Sequence, residues 1–130
     1  MQLKLKRVGI YSGFQKTCIS YALMKMLLRS EEMVLLAVWQ LGDQAYGVTV
    51  RRYLMEETGK HFSFAAVYDP LDRLTVKGFL KAKDGPPTKE RGGRRRRFFS
   101  LTDKGVAALA EIQRINAVLW QGIPNLSAAR

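Results

Sequence analysis

Phe79-Leu-Lys-Ala-Lys-Asp-Gly-Pro-Pro-Thr-Lys-Glu-Arg-Gly-Gly-Arg-Arg-Arg-Arg-Phe-Phe-Ser-Leu101 is the stretch on which the fold turns. Two short runs, 79–84 and 94–101, flank a tip rich in proline and glycine, so the segment predicts an antiparallel hairpin. In the second run Arg95, Arg97, Phe99 and Leu101 share one face, and Arg94, Arg96, Phe98 and Ser100 share the other. Phe99 and Leu101 are expected to enter the core, with the arginines further out where the hairpin leaves the body. Together with the end of the preceding helix, residues 73–97 hold ten Lys or Arg and two acids, which is +8 of the chain's formal +11. Charge gathered on one element suits the straddling of phosphates, and a solvated basic loop is the plainer alternative on charge alone.

Upstream, Ser63-Phe-Ala-Ala-Val-Tyr-Asp-Pro-Leu-Asp-Arg-Leu74 predicts a helix. Ser63 is its N-cap, Phe62 staples onto Val67, and Val67, Leu71 and Leu74 recur at i, i+4, i+7, with Gly78 as the stop. Pro70 removes a hydrogen bond inside it and is expected to kink it or loosen its first two turns. Residues 46–58 read as a preceding helix, closed by Gly59, with Val50 and Leu54 facing inward. Met33-Val-Leu-Leu-Ala-Val-Trp39, after Ser30-Glu31-Glu32, predicts a first helix with Ser30 as N-cap and Gly42 as stop. A helix apolar on all sides needs cover on all sides, which in so small a domain points to a partner chain. Downstream of the hairpin, Thr102 caps a last helix whose seam is Ala108, Ile112, Ile115 and Leu119, ended by Pro124. The order helix, helix, helix, hairpin, helix is a winged helix-turn-helix with an appended C-terminal helix: a mainly α fold with a small β-hairpin. The expected organisation is a basic extension over 1–26, the winged domain over 27–101, a dimerisation helix over 102–123 and a tail over 124–130.

The chain's 130 residues, 47% of them hydrophobic, suffice for one domain with a small core. Cys18 is the one cysteine, which suits a reducing compartment, and with His61 as the one histidine a zinc site is excluded. His61 reads as an ordinary loop residue. Neither a catalytic constellation nor a glycine-rich phosphate loop ahead of a helix is present, so no enzyme and no cofactor are expected. The apolar run at 19–24 is too short for a membrane span, and its basic approach lacks the small-residue pattern of a cleaved leader. A start assigned too early, with Met24 or Met26 as the true beginning, is the duller expectation for that region.

Four segments carry a resemblance. Leu41-Gly-Asp-Gln-Ala-Tyr-Gly-Val48, Ser63 to Leu74 as quoted above, Lys77-Gly-Phe-Leu80, and Pro87-Thr-Lys-Glu-Arg-Gly-Gly-Arg-Arg-Arg-Arg-Phe-Phe-Ser-Leu-Thr-Asp-Lys-Gly105 resemble the PadR-like winged-helix transcriptional regulators, in order and with spacing kept. The similarity runs over about residues 27–119. It implies a cytoplasmic, nucleoid-associated homodimer that binds double-stranded operator DNA, usually as a repressor, and is released by a small molecule or another signal. It also implies a dimer contact made by the first and last helices and a tyrosine beside the DNA at Tyr68. Ala65 stands where that family often has glycine.

The candidate DNA-binding residues follow. Tyr46 opens the second helix, whose N-terminus can meet a phosphate, and the alternative is a ring packed on the turn. Ser63 can bind a phosphate or base edge, or only cap. Ala66, like Ala65, is small enough to let the helix start approach closely. Arg73 and Lys77 are expected to reach the backbone, and Lys89, Arg91 and Arg94 the minor groove from the wing tip. With Arg96 these make about six phosphate contacts per subunit and a salt slope of roughly −10 per dimer, and Arg91→Ala should weaken binding to all sequences alike. On the helix's outward side Asp69 could accept from a cytosine amino group, and Asp72 could pair with a nearby arginine. Trp39 and Trp120 are candidates for a pocket at the dimer interface that takes a small aromatic or apolar effector; simply filling the interface is the other reading. Leu35, Ile112, Ile115 and Leu119 are expected at the dimer contact. Two other functions stay open at this point: a winged-helix protein-interaction module, and a sequence-independent architectural DNA binder.

Overall fold

A computed structural model describes residues 27–87 and 95–128. Its elements are helix α1 (Arg29–Leu41), a single 3-10 turn (Gly42–Gln44), helix α2 (Gly47–Thr58), helix α3 (Phe64–Val76), strands β1 (Leu80–Pro87) and β2 (Arg95–Leu101), and helix α4 (Asp103–Trp120). The winged helix-turn-helix and the appended last helix are therefore present as the sequence predicts.

Helix α1 corrects one detail. Its N-cap is Leu28 rather than Ser30, because the Glu31 carboxylate folds back to accept the Leu28 N–H at 2.9 Å. Ser30 lies inside the first turn. Helix α3 begins as read: Ser63 Oγ accepts the Ala66 N–H at 3.1 Å. Pro70 does not break it. The helix runs through the proline, which is buried. Gly59, in the left-handed region at φ 69°, turns the chain between α2 and α3.

Strands β1 and β2 pair antiparallel, with Leu80 opposite Leu101 and Ala82 opposite Phe99. The ladder continues past Asp84, with a register shift, to pair Pro87 with Arg95. Thus β1 takes in residues the sequence places in the tip; an edge strand tolerates proline at such an irregularity. A further pairing was not legible. The Phe99 N–H donates to Ala45 O at 2.8 Å, and Tyr46 bridges Phe98, so the segment before α2 docks on β2.

The core gathers Val34, Leu35 and Val38 from α1, Val50 and Leu54 from α2, Val67, Leu71 and Leu74 from α3, and Phe79, Leu80 and Phe99 from the hairpin. Leu101 is half-buried beside them. Helix α4 enters the core through Ala108, and it comes so close at Gly105 that a Cβ there would collide with the Phe79 carbonyl. Thr102 secures its start, donating to Gly78 O at 2.6 Å and accepting the Gly105 N–H at 3.1 Å. Beyond that first stretch the α4 seam is open. Ile112 is half-buried, Ile115 is exposed, and Leu119 is 67% exposed.

Candidate nucleic-acid interface

The first turn of α3 is presented outward. Ser63, Phe64, Ala65 and Ala66 are all exposed, while Val67 behind them is fully buried. Tyr68 closes over the N-terminus of α2: a methyl group added to Gly47 would overlap its ring. That contact fixes Tyr68 while leaving it 37% exposed, at the position where the family resemblance implies a tyrosine beside the DNA. Phe64, which the sequence reading missed, runs near-parallel to Tyr68 at 6.0 Å between centroids. The Arg51 guanidinium covers the Phe64 ring at 4.4 Å and is itself anchored, with Nε donating to Phe62 O at 2.7 Å. The i, i+4 spacing of Phe64 and Tyr68 was the available signal for that pair.

The wing root is joined to the same face through Tyr46. Its ring packs edge-on against Phe98, with centroids 5.2 Å apart, and the Arg96 guanidinium lies 4.8 Å above it. Tyr46 is thus a ring packed between helix and wing, and it fixes the position of a wing arginine. Arg97 reaches the other way, to Asp72 on α3 at 3.6 Å. The nearby arginine expected for Asp72 is therefore Arg97. Both side chains are more than half exposed, so this pair contributes orientation rather than much stability. Lys89, Arg91 and Arg94 lie outside the described residues.

Arg73 and Lys77 are not simple outward-reaching cations. Arg73 Nε donates to Glu31 Oε2 at 2.9 Å, and Lys77 Nζ donates to the same oxygen at 3.3 Å. Glu31 is fully buried. Burial alone would raise its pKa, but the Leu28 N–H, Arg73 and Lys77 together outweigh it and hold the carboxyl below its ordinary range. Both cations are a little over 40% exposed, so each has a bound side and a solvent side. The partners lie 42 and 46 residues from Glu31, too far apart for any local sequence pattern to reveal.

Two grooves border helix α1. One, of about 700 Å³, runs between the end of α1 and the hairpin and is lined by Trp39, Lys83, Phe98, Leu101 and Val106. The other, of about 510 Å³, separates α1 from α4 and is lined by Leu36, Trp39, Val106, Leu109 and Ile112. Trp39, 58% exposed, borders both; Trp120 borders neither of these grooves. Leu35 is corrected outright. It is fully buried in the chain's own core and offers no side-chain surface to a partner; Leu36 and Trp39 are the apolar α1 residues left uncovered.

These elements define a winged helix-turn-helix protein with a fourth helix. The chain matches the Transcriptional regulator PadR-like family over residues 35–111, more than half of its 130 residues, and it belongs to that family. Among solved structures it is similar to a PadR family transcriptional regulator from Eggerthella lenta, at 23% identity over 84% of this chain and 91% of that one, with a TM-score of 0.56. It is similar to RosR of H. salinarum at 21% identity, over 76% of this chain and 82% of that one, with a TM-score of 0.56. Bacillus subtilis PadR, solved in complex with operator DNA, shares 20% identity over 67% of this chain and 48% of that one, with a TM-score of 0.54. These likenesses are ones of fold. A comparison with curated proteins gave no match. No described helix is long and apolar enough to cross a membrane, and the described residues hold no group of His, Cys, Asp and Glu suited to a metal ion.

Proposed function

We propose that the protein is a homodimeric, sequence-specific DNA-binding regulator that acts as a repressor at the nucleoid and leaves its operator on a small-molecule or other signal. The junction at Tyr46 carries this reading. One residue ties the start of α2 to the wing strand, so that the exposed first turn of α3 and Arg96 are held in a fixed relation. A fixed spacing between a helix for the major groove and a cation for the neighbouring backbone is what docking on a duplex requires. The strong positive charge of the wing and the operator complex of Bacillus subtilis PadR support the same reading. Pairing of Asp72 with Arg97 offsets one of the two carboxylates that would otherwise oppose phosphates.

The open α4 seam, with Leu36 and Trp39 beside it, is the surface a second copy would cover. Leu119 and Trp120, both more than half exposed at the far end of α4, extend that surface. The grooves bordered by Trp39 would then lie against or inside the dimer and suit a small aromatic or apolar effector. DNase footprinting on the DNA upstream of the protein's own gene tests the proposal. Two protected half-sites, with centres separated by about 10 bp or a multiple of it, are expected for a two-fold dimer. Uniform partial protection without half-sites would contradict it.

A further inference from the structure

The first two turns of α3 are short of the groups that read purines. From Ser63 to Leu71 there is no Arg, Lys, Asn or Gln, the side chains that pair bidentately with guanine or adenine in the major groove. The exposed residues instead are Phe64, Ala65 and Ala66, with Ser63, Tyr68 and Asp69 around them. A duplex edge offers one feature to which apolar side chains are matched: the C5-methyl of thymine.

Phe64 is the side chain built for that contact. It is 57% exposed although it is large and apolar, and it sits in the helix's first turn, the part of a recognition helix that meets base edges. It is also held in place. Arg51, tethered to the Phe62 carbonyl, covers its ring at 4.4 Å, and Tyr68, seated on Gly47, lies near-parallel to it at 6.0 Å. An exposed ring fixed by neighbours forfeits little rotamer freedom on binding, so its contact energy is retained. We infer that Phe64 is a specificity-determining residue that contacts a thymine methyl group in each operator half-site. This rests on the DNA-binding proposal above and adds the base it selects.

The test uses the full chain and a duplex library with a randomised centre. Bound duplexes are selected, and each thymine of the enriched site is then replaced by deoxyuracil, which deletes the methyl group and nothing else. The expected result is a thymine whose replacement weakens the wild-type protein about four-fold per half-site, the worth of one buried methyl group. The Phe64→Ala variant should bind the thymine and uracil duplexes equally, and Phe64→Leu should recover part of the difference. Circular dichroism and low-salt binding to unrelated DNA show that the variants are folded. If no replacement discriminates the wild type from Phe64→Ala, the inference is overturned while specific binding stands. If selection enriches no sequence at all, the DNA-specificity proposal falls and this inference falls with it.

Discussion

The ring of Tyr68 lies across the Cα of Gly47, so that the third helix of the domain is seated directly on the first residue of the second. Only a residue without a Cβ permits this approach, and the seat decides how far the α3 face stands out from α2. We expect Gly47→Ala to force Tyr68 off its position and to destabilise the domain by about 1–3 kcal/mol. In thermal unfolding that is a fall of at least several degrees in Tm. Removing the obstacle should reverse the effect: Gly47→Ala combined with Tyr68→Ala is predicted to be less destabilised than the two single changes summed.

Glu31 should make stability depend on acid. Its carboxyl is held below the ordinary range in the folded state, so it contributes stability above the unfolded carboxyl's pKa of about 4.3 and loses it as pH falls through the folded value. Glu31→Gln is therefore predicted to be less stable than wild type at neutral pH and to converge with it in acid. Denaturant titrations at a series of pH values measure this. The combined change Arg73→Ala and Lys77→Ala removes both cations from Glu31 and should cost about 1–3 kcal/mol, because the two side chains are partly exposed and water can reach the carboxylate once they are gone.

How far the fold was legible follows from how far each signal reaches along the chain. The Ser63 cap and the Val67, Leu71, Leu74 stripe are written within one helix, and both stand where the sequence puts them. Leu35 sits in a seven-residue apolar run, where periodicity cannot separate core from interface, and it proved to be core. The Glu31 cluster and the docking of Ala45 and Tyr46 on β2 join residues far apart in sequence, so only the assembled fold shows them. For the interface, charge located the wing, but the assignment of Arg73 and Lys77 to phosphate overlooked the buried acid that holds them.

Arg96, poised over Tyr46, is expected to meet a phosphate. Arg96→Ala should weaken binding to operator and unrelated DNA alike and make the salt slope shallower by about two per dimer, one contact per subunit. A loss confined to the operator would show that this side chain reads sequence.

The exposed end of α4 should report on assembly. Leu119 is 67% exposed in the single chain and fits a two-fold contact, where each substitution acts twice. We predict that Leu119→Glu raises the dimer dissociation constant on the order of 10²-fold, from about 1–2 kcal/mol lost per copy. Sedimentation equilibrium on the wild type and the variant measures it. A wild-type protein that is monomeric at micromolar concentration would contradict the proposed dimer.

The most direct test of sequence-specific DNA binding is fluorescence anisotropy with DNA from upstream of the protein's own gene and with a scrambled duplex, across a salt series. The expected result is a preference of ~10³-fold or more for the upstream DNA and a slope of roughly −7 in log affinity against log salt, from about four wing contacts per subunit with Arg73 and Lys77 engaged by Glu31. Equal affinity for the two duplexes, or binding to neither, would contradict it.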